Sequence, residues 1–196
     1  MHVFTSLNEP KLHELLKNGA VGVLPTDTVY GLVCAARHEG AVQRLYALKN
    51  RRAMPGTLIA ASLDQLVGLG IKAKYLKPVA ELWPGAVSVE IPHDITYLNQ
   101  GTGRQAVRIP DNEQLQALMT VTGPLQTTSA NAPFERTAEN FVEAEAYFHD
   151  KVDFYVDIGD LGERPPSTVI RVVDGVIDVV RKGAVAFDDY GRKIVK

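Results

Sequence analysis

The stretch Val21–Leu32, reading V-G-V-L-P-T-D-T-V-Y-G-L, constrains this chain more than any other. Its apolar residues Val21, Val23 and Leu24 run straight into Pro25. Proline has no backbone N–H to give to a ladder, so a strand has to end there. Thr26, Asp27 and Thr28 then form a short polar edge at a strand end. In open α/β sheets ligands sit beyond the carboxyl ends of strands, which makes this edge a candidate grip for a small polar ligand. An ordinary surface turn is the competing reading.

Periodicity along the rest of the chain predicts alternating helices and strands. Asn8-Glu9-Pro10 opens a helix with Leu12, Leu15 and Leu16 on its buried stripe, closed by Asn18-Gly19. A second strand is expected over 33–36 and a second amphipathic helix over 40–50. A buried strand over 57–61 leads to Ser62 and Gln65, a capping box for the next helix. A helix over 72–82 stops at Trp83-Pro84-Gly85, and 86–91 alternates as a strand. The segment 92–104 reads as an irregular, mobile loop. Strands over 105–109 and 125–128 flank a helix capped by Asp111, and Thr137 caps a helix running to Phe148. Strands over 154–157, 168–172 and 176–181 follow, the last two joined at Asp174-Gly175, a hairpin turn. With no repeat or linker, the 196 residues read as one α/β domain, a mixed sheet with covering helices.

The net charge of −2 gives no argument for or against a nucleic-acid partner. The single cysteine, Cys34, rules out an internal disulfide and a cysteine-based zinc cluster, and it reads as a buried small hydrophobe. No apolar run approaches the roughly 20 residues that span a bilayer, and the first residues lack the basic and apolar regions of a signal peptide, so a cytoplasmic protein is expected.

No phosphate loop, dinucleotide fingerprint, nucleophile elbow or metal-spaced histidines occur in the sequence. What remains is a distributed set of Arg, Lys, Ser, Thr and Asn at strand ends, which suits phosphate and carboxylate recognition without a metal cage or nucleophile. Lys49, Arg51 and Arg52 end a helix, where the macrodipole favours cations in any case. Arg108 lies inside an apolar strand, where it either pairs with an acid or faces a ligand carboxylate. Thr127 to Asn131 bring hydroxyls and an amide to another strand end.

Seven pieces in order resemble the YrdC-like threonylcarbamoyl-AMP synthase family. They are P-T-D-T-V-Y-G-L (25–32), L-K-N-R (48–51), W-P-G (83–85), A-V-R-I-P (106–110), T-S-A-N (128–131), S-T-V-I (167–170) and R-K-G-A-V (181–185). The resemblance implies a twisted mixed sheet with an open basic concave face. It implies an L-threonylcarbamoyladenylate synthase, a nucleotidyltransferase that joins L-threonine, bicarbonate and ATP and releases pyrophosphate. A separate transferase would pass the group on to the tRNA adenosine beside the anticodon, and the basic face is a candidate surface for tRNA or double-stranded RNA.

By matched position, Thr28, Arg108, Thr127 and Ser167 would hold threonine, with Arg108 on its carboxylate. Lys49, Arg51, Ser129, Asn131, Thr137 and Arg181 would surround ATP, Lys49 and Arg51 carrying the catalytic charge. Mg²⁺ would accompany ATP, held by phosphate oxygens and water rather than by a protein cage. Asp27 receives no catalytic role. Departures from the family pattern fall at Arg52, Pro55-Gly56-Thr57, Ala60 (often a histidine), Arg104 (often a small hydroxyl residue) and after Asn131. They motivate an alternative reading, a relative that binds RNA or a nucleotide without forming an adenylate. The end of the sequence at Lys196 points to the short, single-domain form.

Overall fold

Pro25 closes the first buried strand. The computed structural model describes residues 1–50, 52–133, 135–188 and 191–194. In it β2 (Val21–Pro25) is buried throughout, and β3 (Tyr30–Ala35) returns antiparallel with Tyr30 opposite Pro25. The second strand therefore begins at Tyr30, not Val33. Tyr30 is fully buried, and its hydroxyl donates to Gly159 O at 2.8 Å, which fixes the strand from its first residue. Thr26 to Val29 are left as the tight turn between the two strands.

The strand preceding this pair, β1 (His2–Phe4), is too short to show a sequence pattern. The others are β4 (Thr57–Ile59), β5 (Val87–Pro92), β6 (Arg104–Arg108), β7 (Leu125–Ser129), β8 (Phe154–Val156), β9 (Thr168–Val173) and β10 (Val176–Arg181). They form one ten-stranded sheet in the order β1-β8-β2-β3-β7-β4-β6-β5-β9-β10. The pairs β1/β8, β2/β8, β4/β6 and β5/β9 are parallel and the rest antiparallel, so the sheet is mixed as expected.

The helices are α1 (Pro10–Lys17), α2 (Glu39–Leu48), α3 (Leu63–Val67), α4 (Ala73–Leu76), α5 (Thr96–Asn99), α6 (Glu113–Thr122) and α7 (Phe141–Phe148). Several expectations change here. The N-cap of α1 is Glu9 rather than Asn8, and its side chain makes no capping bond. The 72–82 helix splits into α4 and a 3-10 turn, Lys77–Leu82, because Pro78 lacks the N–H that an α-helix would need. The 92–104 segment is tied down: it contains α5, and buried Asn99 donates Nδ2 to His93 O at 2.6 Å. Asn112, not Asp111, caps α6 by accepting from Leu115 N at 2.9 Å. The Ser62–Gln65 box is present: Ser62 Oγ accepts from Gln65 N, and Gln65 Oε1 accepts from Ala61 N.

The cap of α7 also moves, from Thr137 to Asn140, whose Oδ1 accepts from Glu143 N at 3.1 Å. Asn140→Ala should lower stability by about 1 kcal/mol in urea unfolding, the usual worth of a lost N-cap. An equal loss from Thr137→Ala would place the cap where the sequence suggested. A second test lies at the start of β8. Asp153 accepts from Val21 N at 2.8 Å and from Arg44 Nη1 at 2.5 Å. Desolvation opposes its charge, but the bonds from Arg44 and Val21 prevail and hold the carboxyl below its ordinary value of 3.8. Stabilisation by a depressed acid is complete above the unfolded-state value and disappears as pH falls through the folded-state value. Asp153→Asn should therefore cost about 1 kcal/mol at pH 7, modest because the pair is partly exposed, and less in acid. A cost that does not shrink below pH 4 would contradict this.

Two apolar clusters sandwich the sheet. One face packs Leu58, Val89, Val107 and Ile170 against α2 and the chain around α4. On the other, α1 and α6 cover only part of the sheet, over Leu24, Val33, Ile59 and Leu125. Side chains alternate faces along a strand, so cross-strand partners share one face. The register Val33–Thr127–Thr57–Ala106–Glu90–Arg171 crosses six strands on the α1/α6 face. It begins under the helices and runs out where they no longer reach, which leaves an open, polar half-face.

Candidate active site

A cavity of about 550 Å³ lies on that half-face, walled by the Thr26–Val29 turn, the 53–57 segment and strands β5, β6, β7, β9 and β10. Close backbone approach shapes it. A Cβ on Gly56 would lie 2.2 Å from Thr127 O, and one on Gly31 would lie 2.7 Å from Thr127 Oγ1, so neither position tolerates a side chain without movement.

Arg108 closes one end of the cavity, and its side chain is 4% exposed. Its Nη1 donates to both carboxylate oxygens of Asp27, at 2.7 and 2.8 Å, and the Asp27 side chain is itself 7% exposed. Asp27 Oδ2 also accepts from Asp111 N at 3.1 Å. Burial lowers the Arg108 pKa and Asp27 opposes that shift. An arginine keeps its proton in a protein, so this is a buried ion pair. Arg108 Nε is shielded from solvent and has no protein partner, so the hydrogen-bonding capacity of the guanidinium is not fully met within the protein. Of the two sequence readings of Arg108, the pairing with an acid is the one present, and the paired arginine lines the cavity. Asp27, given no catalytic role from sequence, is the group that holds the guanidinium.

Of the residues singled out from sequence, Thr28, Arg108, Thr127, Ser129, Ser167 and Arg181 line the same cavity. Arg181 Nη2 donates to Ser167 O at 2.6 Å and lies 3.3 Å from Ser167 Oγ, which sits 2.9 Å from Ser88 Oγ. The hairpin of β9 and β10 therefore positions both groups. Lys49, Asn131 and Thr137 are not among the lining residues. Lys49 is buried at 3% exposure, and its Nζ donates to Ser129 O at 2.9 Å, Asn131 O at 2.6 Å and Asn131 Oδ1 at 2.5 Å. It fastens the end of α2 to the back of the Ser129–Asn131 segment, whose Ser129 Oγ donates to Asn131 Oδ1 at 2.7 Å. Arg51 lies outside the described residues.

Thr26, placed with Thr28 on the polar strand-end edge by the sequence, lines the cavity beside it, whereas two other wall residues carry no signal in the sequence. Glu90 and Arg171, register partners on β5 and β9, pair within the wall through Arg171 Nε and Nη2 on Glu90 Oε2, at 3.1 and 2.5 Å. Such a pair has no local signature, because its members come from strands that only the crossover makes neighbours. Of the departures, Arg104, Pro55, Gly56 and Thr57 line the cavity, whereas Ala60 is fully buried in the apolar cluster on the opposite face. Among the described residues, four arginines stand in the lining against one carboxylate, Glu90. Among the described residues no three His, Cys, Asp or Glu side chains converge as a metal cage. No described helix is long and apolar enough to cross a membrane. Cys34 is buried, and burial pushes its thiol pKa up, away from reactivity.

A cavity of arginines and hydroxyls on the uncovered half of a mixed sheet can hold a molecule with carboxylate and phosphate groups. The Sua5/YciO/YrdC family model, described as Telomere recombination, matches residues 14–183. The chain belongs to this family. A threonylcarbamoyl-AMP synthase of Pseudomonas aeruginosa is 35% identical over 169 residues, covering 83% of this chain and 91% of that protein. One from Pseudomonas putida is 32% identical over 174 residues, covering 86% and 93%. Among solved structures, P. abyssi Sua5 complexed with L-threonine superposes with a TM-score of 0.83 at 24% identity. The match covers 94% of this chain and 58% of that one, so the Sua5 protein is considerably longer. E. coli YciO gives a TM-score of 0.78 at 24% identity, covering 93% and 94%. These structures establish the Sua5/YciO/YrdC fold for the chain.

Proposed function

We propose that this protein is an L-threonylcarbamoyladenylate synthase of the Sua5/YciO/YrdC family. The observation that carries the reading is Arg108: a buried guanidinium held by Asp27, with Nε unmet, at one end of a cavity walled by Thr28, Thr127, Ser129, Ser167 and Arg181. Relatives named threonylcarbamoyl-AMP synthase at 31–35% identity support it.

In this reading Arg108 takes the threonine carboxylate, and Thr28, Thr127 and Ser167 surround its amine and side chain. The threonine nitrogen attacks the bicarbonate carbon and water leaves, giving a carbamate. A carbamate oxygen then attacks the α-phosphorus of ATP, the bond to the β-phosphate breaks, and pyrophosphate departs. No protein nucleophile takes part. The protein aligns the reactants and neutralises charge as it develops. Ser129, Arg181, Asn131, Thr137, Lys49 and Arg51 are assigned to the nucleotide. Lys49 acts by fixing Ser129 and Asn131. Mg²⁺ bound to the triphosphate would offset phosphate charge. Among the described residues the wall offers it no carboxylate cage, since Glu90 is engaged by Arg171, so phosphate oxygens and water would hold it. The product would pass to a threonylcarbamoyl transferase acting on tRNA, a reaction of the cytoplasm.

The test is incubation with ATP, L-threonine and isotope-labelled bicarbonate, followed by mass spectrometry. Threonylcarbamoyl-AMP carrying the label is expected. Salt-sensitive RNA binding with no pyrophosphate release, beside an active control enzyme, would replace this reading with that of a binding protein.

A further inference from the structure

Alternate residues of β6 face the same way, so Arg104, Ala106 and Arg108 stand in line along the cavity, which all three line. Four residues of strand put Arg104 about 13 Å from Arg108, at the opposite end of β6. Three of the four lining arginines are already engaged: Arg108 by Asp27, Arg171 by Glu90 and Arg181 by the Ser167 carbonyl. The guanidinium of Arg104 has no hydrogen bond or ion pair among the described residues, and its exposure lets it stay charged without one. Its backbone, in contrast, is fixed. Arg104 is the register partner of Pro92 on β5, His93 N donates to Gly103 O at 3.0 Å, and Asn99 Nδ2 holds His93 O. A tethered strand end therefore presents an unengaged five-donor fork at the cavity wall. By strand order β6 lies between β7, which carries Ser129, and β10, which carries Arg181.

We propose that Arg104 binds the β- and γ-phosphates of ATP, sets the preference of the site for a nucleoside triphosphate over a monophosphate, and neutralises pyrophosphate as it leaves. The inference rests on the adenylate-forming reading above and deepens it by naming the group at the leaving end. With the threonine carboxylate on Arg108, the amino-acid and carbamate atoms extend away from that end, and the α-phosphorus follows them. Two groups hang from the α-phosphorus. Adenosine is uncharged, whereas the β- and γ-phosphates carry the charge that a guanidinium recognises bidentately. When the carbamate oxygen attacks the α-phosphorus, the bond to the β-phosphate breaks and its electron pair stays on pyrophosphate. A cation tethered at the strand end meets that charge as it grows. The small hydroxyl residue that often stands at this position in the family has no charge to offer, so the contact is a property of this chain.

Calorimetric titration with ATP and with AMP, each with Mg²⁺ and without threonine so that no product forms, tests this. The wild type should bind ATP more tightly than AMP. Arg104→Thr should reduce that preference about tenfold, the lower end of what a hydrogen bond to a charged group is worth, and leave AMP binding as it was. Arg104→Lys keeps the charge without the planar fork and should recover part of the preference. Threonine affinity, set at Arg108, should be unaltered in both variants, which separates this role from a general loosening of the site. An ATP-to-AMP preference in Arg104→Thr equal to that of the wild type overturns the proposal, and so does an equal fall in the affinity for both nucleotides. Loss of tRNA binding with the nucleotide preference unchanged would also overturn it, by placing Arg104 on an RNA path. Failure of the wild type to bind ATP at all would instead overturn the functional reading, and this inference with it.

Discussion

Asp27→Ala should destabilise the protein by about 3–5 kcal/mol, the range found when one partner is removed from a buried ion pair. Asp27 meets Arg108 Nη1 with both oxygens, and neither side chain is more than 7% exposed. Without the acid, a full positive charge remains in the sheet with its Nε already unpartnered. The whole fold is worth only about 5–15 kcal/mol, so this change alone brings the protein close to unfolding. Urea denaturation of the single variants and of Asp27→Ala with Arg108→Met measures the coupling. The double variant should recover most of the loss, because two apolar groups leave no charge behind. A single Asp27→Ala within 1 kcal/mol of wild type would mean that water or a shifted backbone solvates Arg108, and the pair would not be the anchor of the site.

Lys49→Met should do comparable damage and also remove activity. Its ammonium is buried against two carbonyls and the Asn131 side chain. Methionine fills the space but leaves these acceptors unmet, at about 1–3 kcal/mol for a buried unsatisfied group. The Ser129–Asn131 segment then loses the tether that holds it against α2. Pyrophosphate release should fall by about a hundredfold or more, as it does when one preorganised electrostatic group is removed. Lys49→Arg should not rescue it, because a planar fork cannot converge three bonds at one point as an ammonium does. A stable Lys49→Met with wild-type turnover would remove Lys49 from the machinery.

Short-range rules read much of this architecture. Pro25 ends β2 as a residue without an N–H must, Asp174-Gly175 turns the last hairpin, and Ser62 with Gln65 caps α3. Where several polar residues crowd a helix start, the choice among them was not local. Asn112 and Asn140 cap α6 and α7 in place of Asp111 and Thr137, while Asp111 N turns to Asp27 across the sheet end. The site was legible in its parts but not in its pairings. Arg108 announced that it needed an anion, yet the acid that meets it lies 81 residues away, as far as Glu90 lies from Arg171. Lys49 read as a helix-end cation, and only the approach of β7 to α2 turns it inward. Such pairings belong to strand order, which no window of sequence contains.

The position of bound threonine tests the proposed function most directly. A crystal structure with L-threonine and a non-hydrolysable ATP analogue should place the amino-acid carboxylate on Arg108 with Asp27 still behind it. The amine should lie against Thr28, and the triphosphate should run along Ser129 toward Arg181. Threonine bound away from Arg108, or a phosphate group in its place, would contradict it.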